Sequence, residues 1–196
     1  MHRSASVKAK KKLIAKFVAG IGGIAAAALS LANSIYETRI AQEVPQADIG
    51  VTIDAGRWNV TLDSATVTQQ LPNGLQASAG KKALAVQLTL ENLSAESSNL
   101  YHTTLQLENI QSPTLPQFYL LRDRDVLWSL QPMLKEQVTA VWQIPKEQEL
   151  PSALKISVIG DTFKPEDNLY AAPSWFSSGL VAQVKLPLAD MRSVSP

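Results

Sequence analysis

"ALAVQLTLEN", residues 83–92, decides how this chain is read. Leucine and valine occupy every second position from Leu84 to Leu90, and Gln87, Thr89 and Glu91 fill the alternate positions. Successive side chains of a strand point to opposite faces, so the pattern sends Leu84, Val86, Leu88 and Leu90 inward and the polar set towards water. A helix would need its apolar residues three and four apart. The same period appears on both sides of this stretch. "RWNVTLDSATVTQ" (57–69) places Trp58, Val60 and Leu62 on one face and Asn59, Thr61 and Asp63 on the other. "TTLQLEN" (103–109) repeats the alternation with Leu105 and Leu107, and "QFYLL" (117–121) is a short apolar run of strand type. "EQVTAVWQIP" (136–145) aligns Val138, Ala140, Trp142 and Ile144 before Pro145 stops it. "ALKISVIG" (153–160) aligns Leu154, Ile156 and Val158, and "LVAQVKLP" (180–187) offers Val181 and Val184.

These are about seven strands, separated by turn residues such as "LPNG" (71–74). Strands at this spacing, with no sustained helical period after residue 45, indicate a sandwich. Trp58 and Trp142 are expected in its core. "PEDNLYAAPSWFSSG" (165–179) reads as a long irregular connection carrying three aromatic side chains.

Upstream the character changes. Phe17 to Tyr36 is a run of 20 residues without a charge. A helix of that length spans roughly 30 Å, the thickness of a bilayer core. Arg3, Lys8, Lys10, Lys11, Lys12 and Lys16 precede it, and every acidic residue follows it. Such an asymmetry puts the N-terminus in the cytoplasm and the remainder outside.

Two fates fit this orientation. "Ser30-Leu31-Ala32" offers small residues where a signal peptidase cuts, which favours secretion after cleavage near Ala32. The uncharged run continues past that point, however, and Tyr36 suits the far interface of a retained helix. Ala19 with Gly23, and Gly22 with Ala26, form small-xxx-small pairs that suit packing against other membrane helices.

The six early basic residues taken from a total of 18 leave 12, against all 17 acidic residues, so the part after Tyr36 carries a formal charge of −5. That balance argues against nucleic-acid binding by the distal domain. The chain has no cysteine, which removes disulfides, thiolate metal sites, cysteine nucleophiles and a lipidated cysteine.

The order of the strand motifs carries a resemblance. "GRWNVTL" (56–62) opens the domain, "VQLTLENLS" (86–94) lies in its middle, "LQP" (130–132) precedes "VTAVWQIP" (138–145), and "LKISV" (154–158) comes last. This order resembles the bacterial extracytoplasmic immunoglobulin-like domains of unknown function that stand behind a signal or anchor helix. Those domains are similar to the mycobacterial immunoprotective extracellular protein. Glu91, Asn92, Leu93 and Ser94 match one strand end of the pattern, and Pro132 with Trp142 to Pro145 match a later turn and strand end. The resemblance covers about residues 50 to 162. It implies a β-sandwich on the extracytoplasmic side, and it brings no catalytic residues.

The remaining chemistry is sparse. His102 is the one histidine of the domain, and no Gly-x-Ser-x-Gly elbow accompanies it. It reads as a surface residue. "RDRD" (122–125) reads as a self-neutralised loop or edge cluster in preference to a cation site, since each aspartate has an arginine beside it. "DTFKPED" (161–167) lacks the glycine spacing of a calcium loop and reads as a solvated turn. Asn59-Val-Thr61 and Asn92-Leu-Ser94 match the glycosylation pattern at positions that already have structural reasons. Tyr170, Trp175 and Phe176 are the candidate partner patch, because large aromatics in a small-residue loop suit recognition.

The expected organisation is therefore a basic cytoplasmic tail (1–12), a transmembrane or signal helix (13–36), a linker (37–49), an immunoglobulin-like antiparallel sandwich (50–190) and a tail (191–196). The expected function is that of a non-enzymatic interaction module. It would be a single-pass protein of the bacterial cytoplasmic membrane, serving as an accessory or structural subunit of an envelope complex. Its partners would be the bilayer and other membrane proteins, met through Ala19, Gly22, Gly23 and Ala26 and through the β domain. No catalytic, cofactor or metal residue is assigned. The alternatives are a cleaved secreted or periplasmic binding protein, and a hydrolase using carboxylates and His102.

Overall fold

The alternating stretch forms β4 (Lys81–Asn92), flanked antiparallel by β3 (Trp58–Thr68) and β7 (Lys135–Pro145). The structure is a computed structural model that describes residue 30 and residues 44–111, 114–166 and 171–190. The expected membrane segment lies outside the described residues apart from Ser30, and so do Ala19, Gly22, Gly23, Ala26 and Tyr170. Among the described residues no helix is long and apolar enough to cross a membrane.

The remaining strands are β1 (Gln46–Ala47), β2 (Thr52–Asp54), β5 (Leu105–Leu107), β6 (Gln117–Leu120), β8 (Ala153–Lys164) and β9 (Ser174–Asp190). One layer runs β3-β4-β7-β6, with β2 on the outer edge of β3. The other runs β5-β8-β9, with β1 on the outer edge of β9. β9 joins the two: Leu154, Ile156 and Val158 of β8 pair with its Leu186, Val184 and Ala182, and its last residues, Leu188 to Asp190, pair with Ala65 to Val67 of β3. The domain is a β-sandwich, and the inward residues of both layers meet in one core.

That core is what the alternation dictates. Trp58, Val60 and Leu62 of β3 pack with Leu84, Val86, Leu88 and Leu90 of β4 and with Val138, Ala140, Trp142 and Ile144 of β7. Leu105, Leu154, Ile156, Val158, Ala182, Val184 and Leu186 supply the facing layer. Both Trp58 and Trp142 are buried. In β3 the register slips between Leu62 and Ser64, so Asp63 is an extra residue, and the buried set shifts from even to odd positions, Ala65 and Val67. A bulge does this because one added residue turns every later side chain to the opposite face.

Several expectations need correction. There are nine strands among the described residues in place of about seven, because β1 and β2 hold two and three residues, too few for a period to register. β1 takes two residues of the segment read as a linker into the sheet. The sandwich is also not purely antiparallel: β9 runs parallel to both β1 and β3. Within 165–179, the segment read as irregular, Ser174 to Gly179 belong to β9 and pair with β8. "DTFKPED" is not a solvated turn over its first part, since Asp161 to Lys164 complete β8. In "LVAQVKLP" the inward residues are Ala182, Val184 and Leu186, while Val181 is only half-buried.

Candidate functional site

The turn that joins β2 to β3 is built from "DAGR", Asp54 to Arg57. Asp54 Oδ1 accepts a hydrogen bond from the Gly56 N–H at 2.8 Å, the side-chain turn that aspartate favours. Gly56 has φ +76°, and a Cβ there would lie 1.8 Å from the Asp161 carbonyl oxygen. Only glycine permits this approach. It lets the turn sit on β8, where the Asp161 N–H donates to the Ala55 carbonyl at 2.9 Å. Gly160 clears space from the other side, since a Cβ would meet Val181 Cγ2 at 2.4 Å.

This seating fixes Arg57. Its N–H donates to the Ala55 carbonyl at 3.0 Å, and its own carbonyl accepts from the Leu93 N–H at 2.9 Å. The guanidinium carbon lies 5.7 Å from the ring centroid of Trp58 and 5.5 Å from that of Trp175. Arginine favours such placements because its planar, weakly hydrated cation stacks on aromatic faces. Arg57 is only 6% exposed, and its Nε has no hydrogen-bond partner among the described residues. Nor does Arg57 form an ion pair with them. Asp161 is near enough to interact through space: burial holds its carboxyl above the usual aspartate value, and the Arg57 charge pulls it part of the way back.

Arg57 lines a cleft of about 620 Å³. Leu93 to Glu96 form one wall, Phe163 and Pro173 to Trp175 form another, and Leu100 completes it. Phe163 and Trp175 are paired across β8 and β9, with ring centroids 5.3 Å apart.

The opposite wall is held by Asn92, which is fully buried. Its Nδ2 donates to the carbonyls of Glu96 (2.8 Å) and Leu130 (2.9 Å). Its Oδ1 accepts from the Ser94 N–H (2.9 Å) and the Ser94 hydroxyl (2.7 Å). One amide thus uses both donors and both lone pairs to shape the loop after β4.

The residues singled out by sequence are distributed as follows. Trp175 is in the cleft. Phe176 is its neighbour on the strand and therefore faces the other side, with Lys164 Nζ 4.8 Å from its ring centroid. His102 lies in a 3-10 turn, Leu100–Thr103, with Nδ1 3.1 Å from the Pro116 carbonyl and its ring edge-on to Phe118. Arg122 to Asp125 follow β6 in a turn. Arg122 pairs with Asp123 at 2.9 Å and with Glu136 at 3.3 Å, while Asp125 Oδ1 accepts from the Val126 N–H. Asn59 Nδ2 donates to Glu91 across the sheet. Among the described residues no three His, Cys, Asp or Glu side chains are gathered closely enough to hold a metal ion.

Sequence reasoning missed Arg57. The available signal is "AGRW": a lone cation between a glycine and a tryptophan expected in the core. A second cleft, of about 540 Å³, includes Lys82, which donates to the Gln148 carbonyl.

The chain matches no protein-family model and no curated protein. Among solved structures it is similar to an uncharacterized β-sandwich protein from Clostridium difficile 630, at 13% identity and a TM-score of 0.48, over 74% of this chain and 96% of that one.

Proposed function

We propose that this chain is a non-enzymatic binding module, held by a single N-terminal helix in a bacterial cytoplasmic membrane. Its immunoglobulin-like sandwich stands on the extracytoplasmic side as an accessory subunit of an envelope complex. The observation that carries the reading is the open cleft beside Arg57: mostly apolar walls with one buried cation are how a site selects a ligand and orients it.

The immunoglobulin-like assignment is supported by connectivity. With β3 to β9 taken as strands A to G, one layer is A-B-E-D and the other C-F-G, the order of a constant-type domain, with the last strand parallel to the first. The strand ends that carry the family resemblance fall at β4, which ends at Asn92, and β7, which ends at Pro145. The position outside the membrane rests on six basic residues ahead of the uncharged run. A non-enzymatic role is consistent with His102, whose ring is engaged with Phe118 and the Pro116 carbonyl.

One feature favours a second reading. Ser30-Leu31-Ala32 would allow cleavage, giving a free periplasmic or secreted binding protein. Gentle detergent extraction, intact-mass measurement and identification of co-purifying proteins separate the two. The anchored reading expects full mass and a stoichiometric membrane partner that is lost in Gly23→Leu, which holds packed helices apart. A mature mass lacking the first 32 residues, in the soluble fraction, refutes the anchor.

A further inference from the structure

If this domain is a binding module, the chemistry of its cleft narrows the ligand; the ligand class proposed here rests on that reading. Arg57 lines the cleft with 6% of its surface exposed; its Nε is itself buried and has no partner among the described residues, so the guanidinium is not fully hydrogen-bonded within the fold. The Trp58 and Trp175 rings and the Asp161 carboxyl compensate this buried charge without a direct ion pair, and a charge-assisted bond to an incoming oxygen anion would add to them.

The surroundings limit that anion to a single charge. Arg57 is the only basic residue among the described residues lining the cleft, Glu96 lies on its wall, and Asp161 is close enough to feel the Arg57 charge. A dianionic phosphate would keep one uncompensated charge beside two carboxyls. The rest of the lining is mainly apolar: Leu93, Ala95, Leu100, Phe163, Pro173 and Trp175. Of these, Phe163 is 49% and Leu100 is 55% exposed, so apolar surface stands ready to be covered.

We propose that this cleft binds a carboxylate carried on an apolar body, the carboxylate on Arg57 and the apolar part between Phe163, Trp175 and Leu100. Two sources share this chemistry: a peptide ending in a hydrophobic residue with a free C-terminus, and a free apolar carboxylic acid.

The test titrates the full chain, in a non-ionic detergent, and reads the Arg57 Nε–H and Trp175 indole signals by NMR. The probes are N-acetylphenylalanine, its amide, inorganic phosphate, and a hexapeptide ending in phenylalanine with a free or an amidated C-terminus. Saturable binding of the acid is expected, at least about tenfold tighter than the amide, from the strength of a hydrogen bond to a charged group. Phosphate should not compete. Arg57→Leu should weaken the acid by about the same factor at unchanged thermal stability. Should that variant unfold, Phe163→Ala supplies the test, because its half-exposed ring can be removed without opening the core.

A free-ended peptide at least about tenfold tighter than the small acid would assign the peptide source, and equal affinity would assign the acid. Equal binding of acid and amide, or acid binding unaffected by both substitutions, overturns the proposal. So does failure of every probe. If partner recovery in the co-purification experiment survives that failure, the binding-module reading stands without this ligand class; if wild type recovers no partner either, both fall.

Discussion

Replacing Asn92 with alanine tests whether one buried amide holds the cleft wall. The side chain makes four hydrogen bonds of 2.7 to 2.9 Å, to Glu96, Leu130 and twice to Ser94. A net 0.5–1.5 kcal/mol for each gives about 4 kcal/mol in all. Ser94 keeps its own bond to the Glu96 carbonyl at 3.0 Å, which lowers the figure to about 3 kcal/mol. For the full chain in urea, with m near 2 kcal/mol/M, the midpoint should fall by about 1.5 M with m unchanged. Asn92→Asp separates hydrogen bonding from shape. It fills the same volume but turns two donated bonds into repulsion between a buried anion and two carbonyls. It should be at least as damaging as alanine at pH 7 and should recover in acid, where the carboxyl regains a proton. A loss under about 1 kcal/mol for alanine, or an aspartate variant as stable as wild type at pH 7, would mean that the Asn92 amide does not hold this wall.

Four further outcomes are expected. Trp142→Ala empties a buried site beside Leu84 and should cost about 3–5 kcal/mol by denaturation; a loss below about 1 kcal/mol would mean the facing of β7 is wrong. Tyr101 donates to the Leu127 carbonyl at 2.7 Å, and burial pushes its hydroxyl up to about 12, so wild type should hold this contribution below pH 10 and lose it as pH rises towards 12. Tyr101→Phe should cost about 1–3 kcal/mol at pH 7 and show no such alkaline loss in a pH series of melting temperatures. Gly56→Ala should destabilise the domain and shift the Arg57 Nε–H signal together, because the added methyl collides with backbone; an unchanged melting temperature would contradict the close approach. Burial raises the Asp161 carboxyl, so folding favours its protonated form: that contribution is present below the ordinary value of 3.8 and disappears as pH climbs through the raised one. Asp161→Asn should therefore be at least as stable as wild type at pH 7 and flatter across that window, and a variant clearly less stable at pH 7 would show that attraction to Arg57 outweighs burial.

The strands are legible where the inward face carries the large apolar side chains; the outer face of β4 and β7 is itself partly covered, with Ala83, Ala85 and Val141 buried beside Tyr119. β3, β4, β7 and β8 write their facing directly into the order of residues, because period-two alternation is the pleat itself. The first part of β9 is not legible. Trp175 and Phe176 are adjacent, which breaks the alternation, and Ser177, Ser178 and Gly179 have the composition of a loop. That segment is a strand because Asp161 to Lys164 offer it a partner, a tertiary cause that no local window contains. The bulge at Asp63 is hidden for a related reason: Ala65 and Val67 continue the same apolar series, displaced by one position.

The site is less legible still. Trp175 stands out by its aromatic character and does line the cleft, but its adjacency groups it with Phe176 on one patch, and strand geometry sends the two apart. A single arginine beside a tryptophan reads as a strand boundary, which hides Arg57. Its significance comes from burial, which brings Trp175 from 118 positions further along the chain to within 5.5 Å of its guanidinium carbon. Asn92 reads as a strand end; its four hydrogen bonds depend on Leu130 and Glu96 folding back over it.

The ligand site proposed for this protein is the cleft beside Arg57. A photoreactive amino acid at Phe163, on the rim, compared with one at Trp128, which is 79% exposed and lies outside the cleft lining, tests it in intact cells. A discrete adduct is expected at position 163, abolished by Arg57→Leu and competed away by N-acetylphenylalanine, with none at position 128. Equal labelling at both positions, or an adduct at 163 indifferent to Arg57→Leu, would contradict it.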